Sequence, residues 1–267
     1  MRDVAMAFGD GLVVAKRNLI KIKRVPEILI WTTMSPIMFV LLFAYVFGNS
    51  IQNIPGTTYR EFLVAGVFAQ TVMFGATFTG AGLADDITKG IIDRFRSLPM
   101  SRSAVLVGRT TSDILYNSIS IAVMSVAGLL VGWRIRTGLL PAIGGFLLLL
   151  LFAYAFSWIM AFVGLKVTSV EVVNNASFMF IFPLTFIAGT FVRPDSLPGP
   201  LQTFAEWNPV SSLAQAVREA FGNLGTLPTP DVWSLRHPVL YTLIWVGIIL
   251  AIFVPLSIRQ FKKAATR

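Results

Sequence analysis

Six stretches of this chain, residues 28–59, 62–84, 114–133, 137–165, 172–192 and 238–258, contain no Asp, Glu, Lys, Arg or His. A helix rising about 1.5 Å per residue needs about 20 mostly apolar residues to cross a hydrocarbon core of about 30 Å, and each stretch is long enough. In a chain of 267 residues that is 55% hydrophobic and 13% charged, the apolar surface exceeds what a soluble core of this size can hide. Runs such as Phe146 to Ala153 (FLLLLLFA) are apolar all round, whereas a barrel strand alternates its two faces over about 10 positions. Only a helix, which pairs its own backbone groups, carries such a run through lipid. The expected fold class is therefore all-α: a polytopic integral membrane protein with six transmembrane helices.

The basic residues orient those spans. The chain carries a formal charge of +9 and 22 Lys and Arg. Most fall on one side under the model of six spans: Arg2, Lys16, Arg17, Lys21, Lys23 and Arg24 in the N-terminal arm; Lys89, Arg94, Arg96, Arg102 and Arg109 after span two; Lys166 after span four; and Arg259, Lys262, Lys263 and Arg267 in the tail. Arg60, Arg134, Arg136, Arg193, Arg218 and Arg236 fall on the other. Because Lys and Arg favour the cytoplasmic side of short loops, the spacing predicts a multi-pass protein of the cell (plasma) membrane with both termini cytoplasmic. The positive charge lies beside the membrane, which argues against a nucleic-acid partner. Absence of cysteine excludes disulfides and thiol metal sites.

The loops have their own patterns. Residues 1–26 place Val4, Phe8, Leu12, Ala15, Leu19 and Ile22 three or four apart, as in an amphipathic interfacial helix lying on the inner leaflet. A soluble helix docked on a partner is the alternative. Pro26 breaks its path, and this basic, amphipathic start does not read as a cleavable signal peptide. Pro36 and Pro183 predict kinks in spans one and five. Ala65, Ala69, Ala76, Gly80 and Ala84 form a small-residue stripe on span two, and Gly128 and Gly132 a close-packing spacing on span three. The cytoplasmic loop 85–105 sets Ile87, Ile91, Ile92 and Phe95 on one face of a short helix, with Asp86, Lys89, Asp93 and Arg96 on the rest and turns at Gly90 and Pro99. That face rests on the protein's own membrane surface or seats in a soluble partner; spacing leaves both open. Segment 193–237 holds two helix-like pieces, Leu197 to Trp207 and Ser211 to Phe221, hinged at Pro198, Asn208 and Pro209. Half apolar and too short to span, they are expected to form an extracellular re-entrant pair dipping into the outer leaflet.

Chemistry is sparse. There is no G-x-x-x-x-G-K-[ST] phosphate loop, and His237, the single histidine, supports neither a metal site nor a triad. The chain is expected to have no catalytic, cofactor-binding or metal-binding residues and not to be an enzyme. Asp113, one turn from both Arg109 and Asn117, reads as an i, i+4 neutralised group at the inner boundary, with a proton relay as the alternative. Mid-span charges, discontinuous helices and an inverted repeat, the marks of a secondary transporter, are not found in the sequence. Asn174 and Asn175 contact substrate or bond between helices.

This combination resembles the type-2 ABC exporter permeases over essentially the whole chain, and is most similar to their daunorubicin/doxorubicin-resistance group. The cytoplasmic pattern is Asp86, Gly90, Pro99, Ser101 and Arg102, with Asp86 standing where Glu is usual. The outer pattern is Gly189, Pro194, Leu197-Pro198, Leu201, Asn208-Pro209 and Arg218; the N-terminal one is Arg17-Asn18, Arg24, Pro26 and Pro36. The resemblance implies a single permease domain, 1–267, that pairs with a second permease subunit as a homo- or heterodimer. It also implies two copies of a separate ABC ATPase that binds the ATP and Mg, with loop 85–105 as the coupling helix. Asp86, Ile87, Gly90, Ile91, Arg94 and Phe95 are then the ATPase-coupling residues. The implied cargo is a small hydrophobic or amphiphilic molecule (drug, lipid or glycolipid), with a polysaccharide exporter as the alternative. Candidate pathway residues are Phe39, Phe43, Phe74, Phe178 and Phe182 with Asn174 and Asn175, unless the rings simply face lipid.

Overall fold

The computed structural model describes residues 27–46, 55–91 and 104–264, apart from 168, 227, 229 and 230. The described residues contain helices and no strand. Helix α1 (Glu27–Leu41) runs into a π-helical turn (Leu42–Val46). It is followed by α2 (Tyr59–Gly75), α3 (Thr77–Thr88), α4 (Ala104–Val131), α5 (Leu139–Lys166) and α6 (Val170–Phe186). After a 3-10 turn (Pro194–Ser196) come α7 (Gly199–Trp207), α8 (Pro209–Phe221), the single turn α9 (Trp233–Arg236) and α10 (Pro238–Ala264). The N-terminal segment 1–26, and Arg94, Phe95, Pro99, Ser101 and Arg102 of the loop pattern, lie outside the described residues.

The apolar helices overlap the charge-free runs. Four are long and apolar enough to cross a membrane: Tyr59–Thr88, Leu106–Val131, Leu139–Lys166 and Pro238–Lys263; Met34–Val46 and Val170–Phe186 are shorter apolar helices. Two boundaries differ from the sequence reading. Helix α4 begins at Ala104, well before the charge-free run, where Arg109 and Asp113 each hydrogen-bond to α3. The first span loses α-helical form at Leu42, beyond Pro36.

Helix α5 is the axis, packing against α2, α3, α4, α8 and α10. Its sequence offers no polar face, which suits an element surrounded by protein and lipid. The closest approach is to α3: a Cβ on Gly164 would fall 2.2 Å from the Gly80 carbonyl oxygen, so the two glycines let the backbones meet. The small-residue stripe of α2 and α3 is buried throughout. Gly128 lies against Val64 as the spacing suggests, whereas Gly132, with φ at +105°, ends the α4 turn.

The α2 N-terminus is fixed by a capping box. The Thr58 side chain accepts from the Glu61 amide at 3.3 Å, and the Glu61 carboxylate accepts from the Thr58 amide at 3.4 Å. Glu61 also takes the Arg136 guanidinium at 3.0 Å, tying the α4–α5 connection to α2. Above this, Phe68, Trp133, Phe146 and Phe221 form a mostly edge-on ring cluster joining α2, α5 and α8, and the Trp133 indole donates to Asn223 at 2.8 Å. At the opposite end, Leu83, Leu106, Trp158, Ala161, Leu165 and Phe261 make a separate apolar cluster.

The pieces expected between 193 and 237 are helices with nearly the expected bounds, but the two differ in burial. Only Ala205 of α7 is buried, while most of α8 is, against α2, α5 and α10. Asn208 makes the hinge: its side-chain oxygen caps α8 by accepting from the Val210 amide at 2.9 Å, and its amide donates to the Leu184 carbonyl at the end of α6 at 2.7 Å. Pro198 begins α7, its carbonyl accepting from the Leu201 and Gln202 amides.

Candidate substrate path and coupling element

Helix α6 buries one narrow face, Val173, Ser177, Ile181 and Thr185, spaced four apart. Phe178, Phe182 and Phe186 share an adjoining face at the same spacing, so their rings stack in sequence with centroids 5.0 Å and 4.2 Å apart. Phe191, past the helix end, continues the series 4.7 Å from Phe186, and Phe43 comes next, 4.6 Å from Phe191. Phe39 touches Phe43, Phe186 and Phe191; Phe74 of α2 meets Phe178 at 6.1 Å. The five phenylalanines singled out from the sequence therefore lie in one continuous ladder of seven rings. Phe186 and Phe191 complete it. The first could have been found from the i, i+4 repeat; the second lies in a turn, where no period points to it.

The rings of the ladder differ in exposure. Phe191 is buried, and its carbonyl accepts from the Tyr59 hydroxyl at 3.1 Å. Phe178 is 56% exposed, while Phe39, Phe43, Phe74, Phe182 and Phe186 are half-buried. Asn174 and Asn175, one turn before Phe178, are both exposed and do not bond to another helix of this chain among the described residues.

At the far end of α3, Asp86 is buried and the half-buried Ile87 packs on the cluster around Leu83 and Leu106. Both are thus turned into the bundle, and the helix ends immediately afterwards. Lys89 pairs with Asp85 at 2.8 Å, and that hydrogen bond raises the Lys89 pKa above the ordinary lysine value. Gly90 has φ of +63°, a conformation that favours glycine, and redirects the chain so that Ile91 starts on a new heading. Arg94 and Phe95 lie outside the described residues. Above this turn a polar bridge links α3 to α4. The Thr79 hydroxyl donates to the buried Asp113 carboxylate, Arg109 donates to the Phe78 carbonyl at 2.7 Å, and the Asn117 amide donates to the Asp113 carbonyl at 2.9 Å. Asp113 is satisfied across the helix pair, not only along its own helix.

A bundle of helices, several of them apolar and of membrane length, is that of a multi-pass membrane protein. The chain belongs to the ABC-2 type transporter family, whose model matches residues 11–221. It is 33% identical over 246 residues to the daunorubicin resistance ABC transporter permease protein of Streptomyces coeruleorubidus, covering 92% of this chain and 83% of that one. It is also similar to a Mycobacterium tuberculosis ABC transporter permease named for doxorubicin resistance, at 25% identity over 232 residues, covering 86% of this chain and 80% of that one. The permease subunits of this family lack an ATPase site of their own.

Proposed function

We propose that this chain is the transmembrane subunit of an ATP-driven exporter that moves a hydrophobic or amphiphilic molecule outward across the plasma membrane. A separate ABC ATPase, present in two copies, hydrolyses the ATP. The observation that carries this reading is the ladder of seven phenylalanine rings. It is exposed at Phe178 on α6 and buried at Phe191, offering a planar or lipid-like molecule a succession of apolar contacts. The relatives named for daunorubicin and doxorubicin resistance support cargo of this kind. In this reading all six apolar helices span, both termini are cytoplasmic, and α7 to α9 form the outer re-entrant segment. Asn174 and Asn175 then stand at the cytoplasmic entrance, and the ladder leads outward from them.

The coupling element is the turn at Gly90 with the residues after it. Asp86 and Ile87 root it in the bundle, while Ile91, Arg94 and Phe95 form the part seated in the ATPase, so that closure of the ATPase on ATP tilts α3 and α4 together through the Thr79–Asp113 bridge. The path is tested by the double variant Phe178→Ala, Phe182→Ala in membranes containing the co-expressed ATPase. Export and substrate-stimulated, vanadate-sensitive ATP hydrolysis are expected to fall at least about tenfold, the scale of losing two aromatic contacts. Unchanged drug tolerance and stimulation would remove the ladder from the path.

A further inference from the structure

Two cavities lie at the end of the bundle that carries α7 to α9. One, of about 430 Å³, is polar; Glu206, Gln215, Arg218, Glu219 and Asp231 lie in its wall. The other, of about 420 Å³, is an apolar groove between α5, α8 and α10, lined by residues such as Leu147, Leu148, Leu151, Val239 and Leu243. Glu219 lines both the chamber and the groove. Neither α1 nor α6, which carry most of the ladder, contributes to the groove.

The charges in the chamber are incomplete. Arg218 is 2% exposed, donates from Nε to the Phe62 carbonyl at 3.0 Å and from Nη2 to the Thr190 carbonyl at 2.8 Å, and lies 3.4 Å over the Phe62 ring. It forms no ion pair among the described residues, and its Nη1 makes no hydrogen bond there. A buried guanidinium held only by carbonyls and a ring face lacks its counter-charge. Arg193, the other cation of the wall, is already paired with Asp195. Among the described residues Glu206 and Glu219 each accept only from a glutamine amide, Gln202 at 2.7 Å and Gln215 at 3.4 Å. Among the described residues the chamber therefore presents one cation without an ion pair and two carboxylates that pair with no cation, one of which, Glu219, also lines the apolar groove.

We propose that this is a binding site for a zwitterionic phospholipid with a primary ammonium head, phosphatidylethanolamine in kind. Its phosphodiester meets Arg218, its ammonium sits between Glu206 and Glu219, and one acyl chain lies along the groove between α5 and α10. That the lipid comes from the outer leaflet rests on the orientation proposed above; the binding does not. The test is native mass spectrometry of the full chain released from detergent with dioleoyl phosphatidylethanolamine or dioleoyl phosphatidylglycerol, which share the phosphate and tails but not the ammonium. Phosphatidylethanolamine is expected to bind about tenfold more tightly, the scale of one charge-assisted hydrogen bond. The double variant Glu206→Gln, Glu219→Gln should erase that preference and leave phosphatidylglycerol binding as it was. Gly144→Trp, at a groove position with nothing within 4 Å of an added Cβ, should weaken both lipids. Equal binding of the two lipids by the unaltered chain, retention of the preference by the double variant, or displacement by oleylamine as effective as by phosphatidylethanolamine overturns the proposal. None of these outcomes bears on export along the ladder, which the Phe178 and Phe182 variants read separately.

Discussion

Gly164 and Gly80 decide how closely the central helix approaches α3. A methyl group on Gly164 would meet the Gly80 carbonyl oxygen and Cα, which are backbone atoms with no rotamer to yield. Gly164→Ala is therefore expected to push the helices apart at a cost of about 1–3 kcal/mol, read as a lower midpoint for thermal aggregation in detergent. Gly144→Ala, facing open space, serves as the control. Asp113 is a second decisive residue. The Thr79 hydroxyl needs an acceptor there, and an amide supplies one. Asp113→Asn should thus fold and export normally, whereas Asp113→Leu leaves that hydroxyl stranded at about 1–3 kcal/mol. A folded Asp113→Asn protein that fails to export would mean that the carboxylate's charge moves protons, and the structural role would fall.

At the scale of elements, hydropathy and charge were informative for the long helices and poor guides to α8. Ser211, Ser212, Gln215 and Arg218 make α8 look like a half-solvated segment. Most of its polar groups are instead spent on tertiary bonds: Ser211 accepts from the Gly189 amide at 2.9 Å, Ser212 shares a bond with Thr242 at 3.1 Å, and Arg218 holds two carbonyls. No periodicity reports that, because partners lie far away in the chain. The ladder was largely legible for the opposite reason, since three of its rings repeat every four residues on one helix. The loop after α3 was legible as a pattern and not as a shape. A single helical face through Ile87, Ile91 and Phe95 assumes unbroken α geometry, whereas Gly90, between Ile87 packed into the bundle and Ile91, has a positive φ. That turn sets the prediction. The double variant Ile91→Asp, Phe95→Asp should insert in the membrane at normal levels but fail to retain the ATPase on co-purification, with export lost. Normal export would detach this turn from the ATPase.

For the whole molecule, α6 is the element that the described residues leave unfinished. Among them only one narrow face of it is covered, mainly by α3. The remainder exposes Glu171, Asn174 and Asn175 as well as Phe178 and Met179. In the proposed exporter α6 spans the bilayer, where amides and a carboxylate are poorly solvated by lipid chains, and the proposed second permease subunit covers this surface and encloses the ladder between the two. By contrast, α10 exposes Leu240, Leu243, Ile244, Ile248 and Ile252, a surface suited to lipid. The chain has no cysteine, so any introduced one is unique. Met179, 72% exposed and opposite the buried face of α6, is the position of choice. Met179→Cys is expected to give an oxidant-dependent band at twice the monomer mass in native membranes, while Ile248→Cys on α10 should remain monomeric. Cross-linking at Ile248 with none at Met179 would place the partner on the other side of the bundle and leave the ladder facing lipid.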